Sequence, residues 1–426
     1  MGRATPLHAD VTEIVPLRRN RDFLLLWSGQ VVSTVGTRVT FVAFPLLVLA
    51  LTGSPGKAGL VGFAQTLPYA LVYLPAGAVV DRSDYRRVML FADGGRAVAL
   101  ASIAVALLVG KLTFPQVVVV ALLEGTLYVF FQVAESAALP HVVRRQQLAT
   151  ALAQNQARDQ GAGLVGAPLG GALFALSRAA PFVADAVSYT VSFLSLLLIR
   201  APLRSERERS DAGLVADVRE GIAWYRRQPF LTAIIVIVGA TNILYTALFL
   251  VLIVRAREGG SSPALIGAMF SCAGAGAIAG ALIAPYVQRN VAAKLVLVGV
   301  LWFDAVGFAV FVVLPNAIAF GVDLGLLALL SSPFNVVLTS YRYALVPDRL
   351  LGRTASVARL VTWGSIPLGP LLGGFLVDVV ETGWTLAILA GGMLLAAATA
   401  TVIPTIRNAP DLRRLLARAE EQASLS

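Results

Sequence analysis

Four ionisable side chains fall inside long apolar stretches of this 426-residue sequence and away from their ends: Arg38, Glu124, Asp304 and Asp323. A charge at mid-bilayer depth is costly unless it is paired or hydrated, so each of the four needs an account. Arg38 is the most demanding, because a guanidinium cannot shed its proton. The three carboxylates are the groups able to take up and release one. The chemistry on offer is therefore proton exchange beside a fixed positive charge. Other chemistries find no residues. His8 and His141 both lie outside the apolar stretches, which excludes a histidine relay within a membrane. Cys272 is the single cysteine, so no intramolecular disulfide forms and no cysteine-based metal site is expected. No glycine-rich loop ends in a phosphate-binding lysine, so ATP is not a direct driver. No serine has an intramembrane histidine partner. The expectation is no enzyme, no cofactor and no metal.

The elements that carry these residues are long apolar helices. Apolar residues make up 57% of the chain and charged residues 14%, well below the charge of a soluble protein, and the mean hydropathy is +0.78. Twelve apolar stretches of about 20 residues are each long enough to span a bilayer. The expected class is an all-α membrane protein with twelve transmembrane helices in two pseudo-symmetric six-helix bundles. The first bundle covers 23–200 and the second 230–406, flanked by an N-tail (1–22), a linker (201–229) and a C-tail (407–426). The first 20 residues lack the apolar core of a cleaved signal.

Two glycine patterns recur. Gly161, Gly166, Gly170 and Gly171 return as Gly364, Gly369, Gly373 and Gly374, each shifted by 203. Ser54-Pro55 followed by Gly59 returns as Ser262-Pro263 followed by Gly267. Such internal repetition is the mark of a transporter whose halves rock about a midplane site. Of the 34 Lys and Arg residues, 25 fall in segments that are cytoplasmic if the N-terminus is inside, against five in the opposite loops. That bias predicts both termini, the linker and the C-tail in the cytoplasm. It also accounts for the net charge of +10 without a nucleic acid. The linker predicts a flexible turn over Arg204 to Asp211, then a short helix over Val215 to Arg227 on the inner leaflet. Ile222, Trp224 and Tyr225 would sit at its interface. In the C-tail, Leu412, Leu415 and Leu416 share one helix face.

Residues 77–87 read GAVVDRSDYRR. Glycine, three residues, aspartate, arginine and then a basic pair resembles the signature loop of the major facilitator superfamily. The usual second glycine is replaced by Asp84. An aspartate in this loop resembles the drug:proton antiporter branch that includes macrolide and enterobactin exporters. Further stretches resemble the same branch in order: "ADGGRA", "ESAALPHVV", "GAPLGGAL", "ADAVSYTVS", "REGIAWYRRQP" and "RLVTWGSIPLGPLLGGFL". The resemblance implies that Gly77, Asp81, Arg82 and Arg86, with Asp93 and Arg96 at the start of the third helix, latch the two halves in one conformation. Glu135, Arg158 and Arg359 would add latch and inter-half contacts.

The same resemblance places helices one, four, seven and ten around a central cavity. Arg38, Glu124, Asn242, Tyr245, Asp323 and Asn335 become its candidate lining. At 1.5 Å per residue, Arg38 lies about 20 Å below the outer end of its helix, Glu124 about 14 Å and Asp323 about 10 Å below theirs. Glu124 is thus the expected partner of Arg38, with the proton and the Arg38 charge competing for its carboxylate. Asp304 and Asp323 are the other proton-coupling candidates, while Asp185 and Asp378 are expected near outer ends where water reaches them. The implied function is efflux of small amphiphilic compounds (drugs or macrolide-like natural products) by proton antiport and alternating access. It would run in a bacterial inner membrane, with protons, lipid and a small-molecule substrate as partners, no nucleic acid, and a monomeric protein. A dedicated siderophore exporter is the alternative within transport. A lipid flippase or a non-transporting membrane protein is the alternative outside it.

Overall fold

The computed structural model describes residues 16–204, 214–314, 316–412 and 414–415. Most of the N-tail, the expected linker turn beyond Arg204 and Leu416 of the C-tail lie outside the described residues. Every regular element among the described residues is a helix. The first half holds α1 (Arg21–Thr52), α2 (Pro55–Leu71), α3 (Tyr73–Val80), α4 (Tyr85–Leu108), α5 (Phe114–Val142), α6 (Leu148–Leu176) and α7 (Ala180–Leu198). The linker helix is α8 (Leu214–Arg226), one residue earlier at each end than the sequence predicts. The second half holds α9 (Pro229–Glu258), α10 (Pro263–Asn290), α11 (Ala293–Val313), α12 (Ala317–Leu345), α13 (Leu351–Gly364), α14 (Leu368–Val402) and the short α15 (Pro404–Arg407).

Nine of the described helical segments are long and apolar enough to cross a membrane, or ten when α2 and α3, bent by 52°, are taken as one broken span. The expected count of twelve is not reproduced by that measure, for two physical reasons. α6 is amphipathic in composition, with Arg158 and Asp159 amid a glutamine-rich first half. Residues 351–402 run as one 52-residue segment, although Glu381 breaks the helical path with φ 66° and ψ 166°.

Local sequence explains the repeated Ser-Pro pairs. Ser54 caps α2 by accepting the amide of Lys57, and Ser262 caps α10 by accepting that of Leu265. The proline after each fills the first helical position, where no amide partner exists. Asp84, the departure from the usual glycine, likewise caps α4 by accepting the Arg87 amide at 3.1 Å.

The glycine repeats decide how the halves meet. In lipid, helix association rests on close packing rather than on exclusion of water. Gly166 and Gly170 lie against Arg38 and Val39 of α1, and Gly369 and Gly373 lie against α9 around Ala247. The last glycine of each set crosses to the other half. A Cβ on Gly171 would stand 3.0 Å from the Gly267 Cα, and one on Gly374 would stand 3.0 Å from the Gly59 Cα. The two sequence patterns are therefore each other's cross-half partners. This seam lies at the end of the bundle remote from the termini. Large apolar side chains such as Phe91, Leu282 and Trp384 face outward along the bundle's sides.

α8 packs beside α13 rather than standing alone: Glu220 pairs with Arg353, and Gly221 admits Val357. Tyr225 is buried there instead of lying at an interface, because its carbonyl accepts Thr232 Oγ1 at 2.6 Å and its ring packs into the second half's core.

Candidate functional site

A polar layer runs through the first half where α1, α2, α4, α5 and α7 converge. Its centre is an ion pair between Arg96 and Glu124, with Nη2 to Oε1 at 2.5 Å, and both side chains are almost fully buried. Gln65 donates to the second carboxylate oxygen at 3.1 Å, and the Tyr189 hydroxyl donates to the first at 3.3 Å. Arg96 also donates to Thr37 Oγ1 at 3.2 Å, and its guanidinium sits 4.0 Å from the centre of the Tyr189 ring. Thr37 closes the circuit to the Tyr189 hydroxyl at 2.9 Å. A buried pair of this kind is stable only when its remaining lone pairs and protons are satisfied, and here they are.

Two further carboxylates stand beside this layer. Asp185 is fully buried and accepts Thr40 Oγ1 at 2.6 Å and Ser188 Oγ at 2.9 Å. Asp93 is also fully buried beside Ser192, and among the described residues no donor meets the geometry of a hydrogen bond to either of its oxygens.

A cavity of about 360 Å³ opens next to the ion pair, between the halves. The first half gives it Gln30, Thr37, Arg38, Gln65, Arg96 and Gln132 as polar wall. The second half gives Phe249, Leu250, Trp363 and Ile366. At its remote end Phe41 packs on Phe249 with ring centres 4.7 Å apart, and Phe249 packs on Phe270 at 4.4 Å. There, too, Asp378 of α14 accepts Ser54 Oγ at 3.1 Å and the Gly56 amide at 2.9 Å, so a carboxylate of one half sits on the helix N-terminus of the other.

Several expected placements change. Glu124 is paired with Arg96, not Arg38. Helix rise favours that outcome: Arg96 lies about 18 Å from the remote end of α4 and Glu124 about 15 Å from that of α5, against about 21 Å for Arg38 on α1. Arg96 and Asp93 thus belong to the buried layer and not to a loop latch. Asp185 is not hydrated, because α1 covers it through Thr40. Arg158 binds Glu135 at 2.6 Å and Asp159 at 2.9 Å, all within the first half, so this pair does not join the halves. Arg359 does join them, donating to the Tyr73 hydroxyl and lying 5.1 Å from its ring.

Of the six cavity candidates, only Arg38 lines the cavity directly; Glu124 stands one layer behind it. Asn242 is spent on the Thr362 carbonyl at 2.8 Å, and exposed Asn335 on Ser331 at 2.9 Å. Tyr245 packs on Phe308 and faces Asp304 inside the second half. Asp304 and Asp323 are buried there, and neither has an ion-pair partner among the described residues. The loop residues do not reach the other half in this conformation. Among the described residues, exposed Asp81 has no side-chain partner, Gly77 has nothing within 4 Å of where a Cβ would stand, and Arg86 donates to the Leu197 carbonyl of its own half. Tyr128 and Trp363 of the cavity, and Gln65 and Tyr189 of the ion-pair layer, carry no sequence signal that separates them from ordinary packing residues.

Comparison with known proteins aligns with this architecture. A family model described as transmembrane secretion effector matches residues 11–415. Multidrug efflux pump Tap of Mycolicibacterium fortuitum is 27% identical over 396 residues, covering 90% of this chain and 96% of that protein. Macrolide efflux protein A of Streptococcus pyogenes is 24% identical over 220 residues, 50% of this chain and 54% of that protein. Among solved structures, a mutant of nucleoside transporter NupG superimposes with a TM-score of 0.75 at 12% identity, covering 89% of this chain and 98% of that one. A bacterial homologue of iron transporter ferroportin in the inward-facing state gives 0.69 at 15% identity, covering 90% and 98%. At such identities these two likenesses speak to the fold alone.

Proposed function

This chain belongs to the transmembrane secretion effector family of the major facilitator superfamily, and from that membership we propose that it exports small amphiphilic compounds in exchange for protons. It is a multi-pass membrane protein of a transporter family. The proposal adds a bacterial inner membrane, cytoplasmic termini as the Lys and Arg distribution predicts, and a monomer as the working unit. The family's efflux relatives and the amphipathic cavity support export of drug-like molecules. One observation carries the coupling: Gln65 and Arg96 both line the cavity and both hold Glu124. Whatever occupies the cavity touches the two side chains that keep the carboxylate in place. A proton reaches Glu124 only at the expense of its ion pair, so occupancy and protonation are linked through the same atoms. Asp304 and Asp323, buried within the second half, are the second-rank proton carriers.

The conformation described has its remote end closed by the crossed glycines, the phenylalanine contacts and Asp378. With the termini in the cytoplasm, that end is the outer one. Alternating access then requires a second conformation closed at the inner end, and Asp81 with Arg82, Arg86 and Gly77 is the latch proposed for it. Asp81→Asn is expected to leave this conformation's folding intact and to slow transport by depopulating the other. Normal insertion with normal transport would remove the latch role.

The test of the function is uptake of a fluorescent dye into inverted vesicles, whose outer face is the cytoplasmic one, or its release from loaded proteoliposomes. Dye flux that depends on an imposed proton gradient and stops with an uncoupler is the expected result. A dye that binds without flux would leave a binding protein, and lipid scrambling in place of dye flux would favour a flippase.

A further inference from the structure

We propose that the compounds taken into the cavity carry an organic anionic group, such as a carboxylate, sulfonate or phenolate, on an apolar body, and that Arg38 is the residue that recognises the anion. The inference rests on the export reading for its biological sense, but the charge preference is a separate physical claim. Three charged side chains line the cavity: Arg38, Arg96 and Asp159. Arg96 is already neutralised, bound to Glu124 at 2.5 Å. Asp159 is held by Arg158 at 2.9 Å, an arginine it shares with Glu135, and its partly exposed carboxylate keeps its charge in contact with water. Arg38 has no hydrogen bond and no carboxylate within ion-pair distance among the described residues. It cannot become neutral by losing its proton, so its charge stands in the cavity as a hydrated cation.

The placement is rigid at its root. Gly166 of α6 admits the Arg38 Cβ at a distance that any larger residue would block, so the stem is wedged between two helices and the fork projects inward. The aromatic wall near it includes Phe41, Phe249, Tyr69, Tyr128 and Trp363. Tyr69 packs on Tyr128 at 5.6 Å and on Trp363 at 6.2 Å, with ring planes tilted by 40° and 51°, so the wall is aromatic and angled. An apolar body can lie against such a wall, and an attached oxyanion can replace the water on the guanidinium with two parallel hydrogen bonds. A cationic ligand of the same shape would meet the like charge of Arg38 there. The direction of transport agrees. An organic anion leaving a cell that is negative inside moves down the electrical gradient, so export of the anion and entry of a proton draw on the potential together.

The experiment uses the full-length protein in lipid nanodiscs and proteoliposomes with two dyes on one xanthene frame: fluorescein, an anion, and rhodamine 6G, a cation. Binding is read by fluorescence anisotropy and flux by dye release. Fluorescein is expected to bind at least about tenfold more tightly than rhodamine 6G. Arg38→Gln is expected to lower fluorescein affinity by about tenfold or more while rhodamine 6G affinity stays level or rises. Arg38→Lys should recover part of the loss, since it keeps the charge but not the fork. Among the described residues Arg38 has no hydrogen-bond or ion-pair partner to lose, and unchanged rhodamine 6G binding verifies that the variant folds. Equal affinities in the wild type, binding of neither dye, or equal loss of both in Arg38→Gln would overturn anion recognition. Selective fluorescein binding with no flux would leave anion recognition standing and overturn export. Flux of both dyes, untouched by Arg38→Gln, would do the reverse.

Discussion

Glu124→Gln should abolish proton-driven export while leaving a protein that still binds its substrate. The substitution keeps the shape of the side chain and its acceptor for Arg96, but removes the site where a proton can be exchanged. It also leaves the Arg96 charge buried without its counter-ion. Breaking a buried pair by removing one partner costs about 3–5 kcal/mol. Thr37 at 3.2 Å and the Tyr189 face at 4.0 Å offset part of that cost. Arg96→Ala leaves Glu124 a buried carboxylate without its counter-ion, held by Gln65 and Tyr189 alone, and is expected to express poorly. The double variant Arg96→Gln with Glu124→Gln removes both charges and should regain much of the stability without regaining coupling. The measurement is substrate-induced proton release together with thermal unfolding of the three variants in detergent. Proton release by Glu124→Gln equal to wild type would sink the assignment and turn attention to Asp304 and Asp323.

The second large effect is expected at the seam remote from the termini. Gly374→Val places a branched side chain where a Cβ alone already stands 3.0 Å from the Gly59 Cα. Overpacking of this kind costs about 1–3 kcal/mol. The cost falls only on the conformation in which this end is closed, because the contact disappears when the halves part. A differential of that size moves a two-state equilibrium by roughly 5–150-fold. Asp378→Ala acts in the same direction by removing the acceptor of Ser54 Oγ and of the Gly56 amide. Spin labels at Lys111 and Arg257, one on each half and both exposed, report the separation of this end in a Cys272→Ser background. Both variants should enrich the longer distance, with Gly374→Val the stronger. Distance distributions identical to wild type in both would show that the seam does not control the equilibrium. Asp81→Asn, acting at the opposite end, should shift the distribution the other way.

The sequence carried the fold further than it carried the site. Apolar length, the Ser-Pro caps and the repeated glycines are local or periodic signals, and each maps onto a helix, a helix start or a helix contact. The cavity was only partly legible. Arg38 could be placed in it because the family resemblance puts the first helix on the cavity, and a charge at that depth needs a hydrated or paired setting. Asn242, Tyr245 and Asn335 could not be told from cavity residues, because a polar side chain on a helix can equally turn to a backbone carbonyl, as Asn242 does to Thr362. Arg96 was legible in depth, being level with Glu124, but its proximity to the loop motif drew it into the wrong group.

What the chain determined by itself is axial: how many residues each helix has, where it starts, how deep a charge lies, and which glycines recur. These follow from a rise of 1.5 Å per residue and from the cost of charge in lipid, neither of which needs a neighbour. What the tertiary structure decided is lateral. The rotation of each helix about its own axis and the tilt between helices set whether Glu124 meets Arg38 or Arg96, whether Asp185 meets water or Thr40, and that Asp378 reaches the start of α2. Those choices depend on packing of side chains from five or more helices at once, and no single segment contains that information.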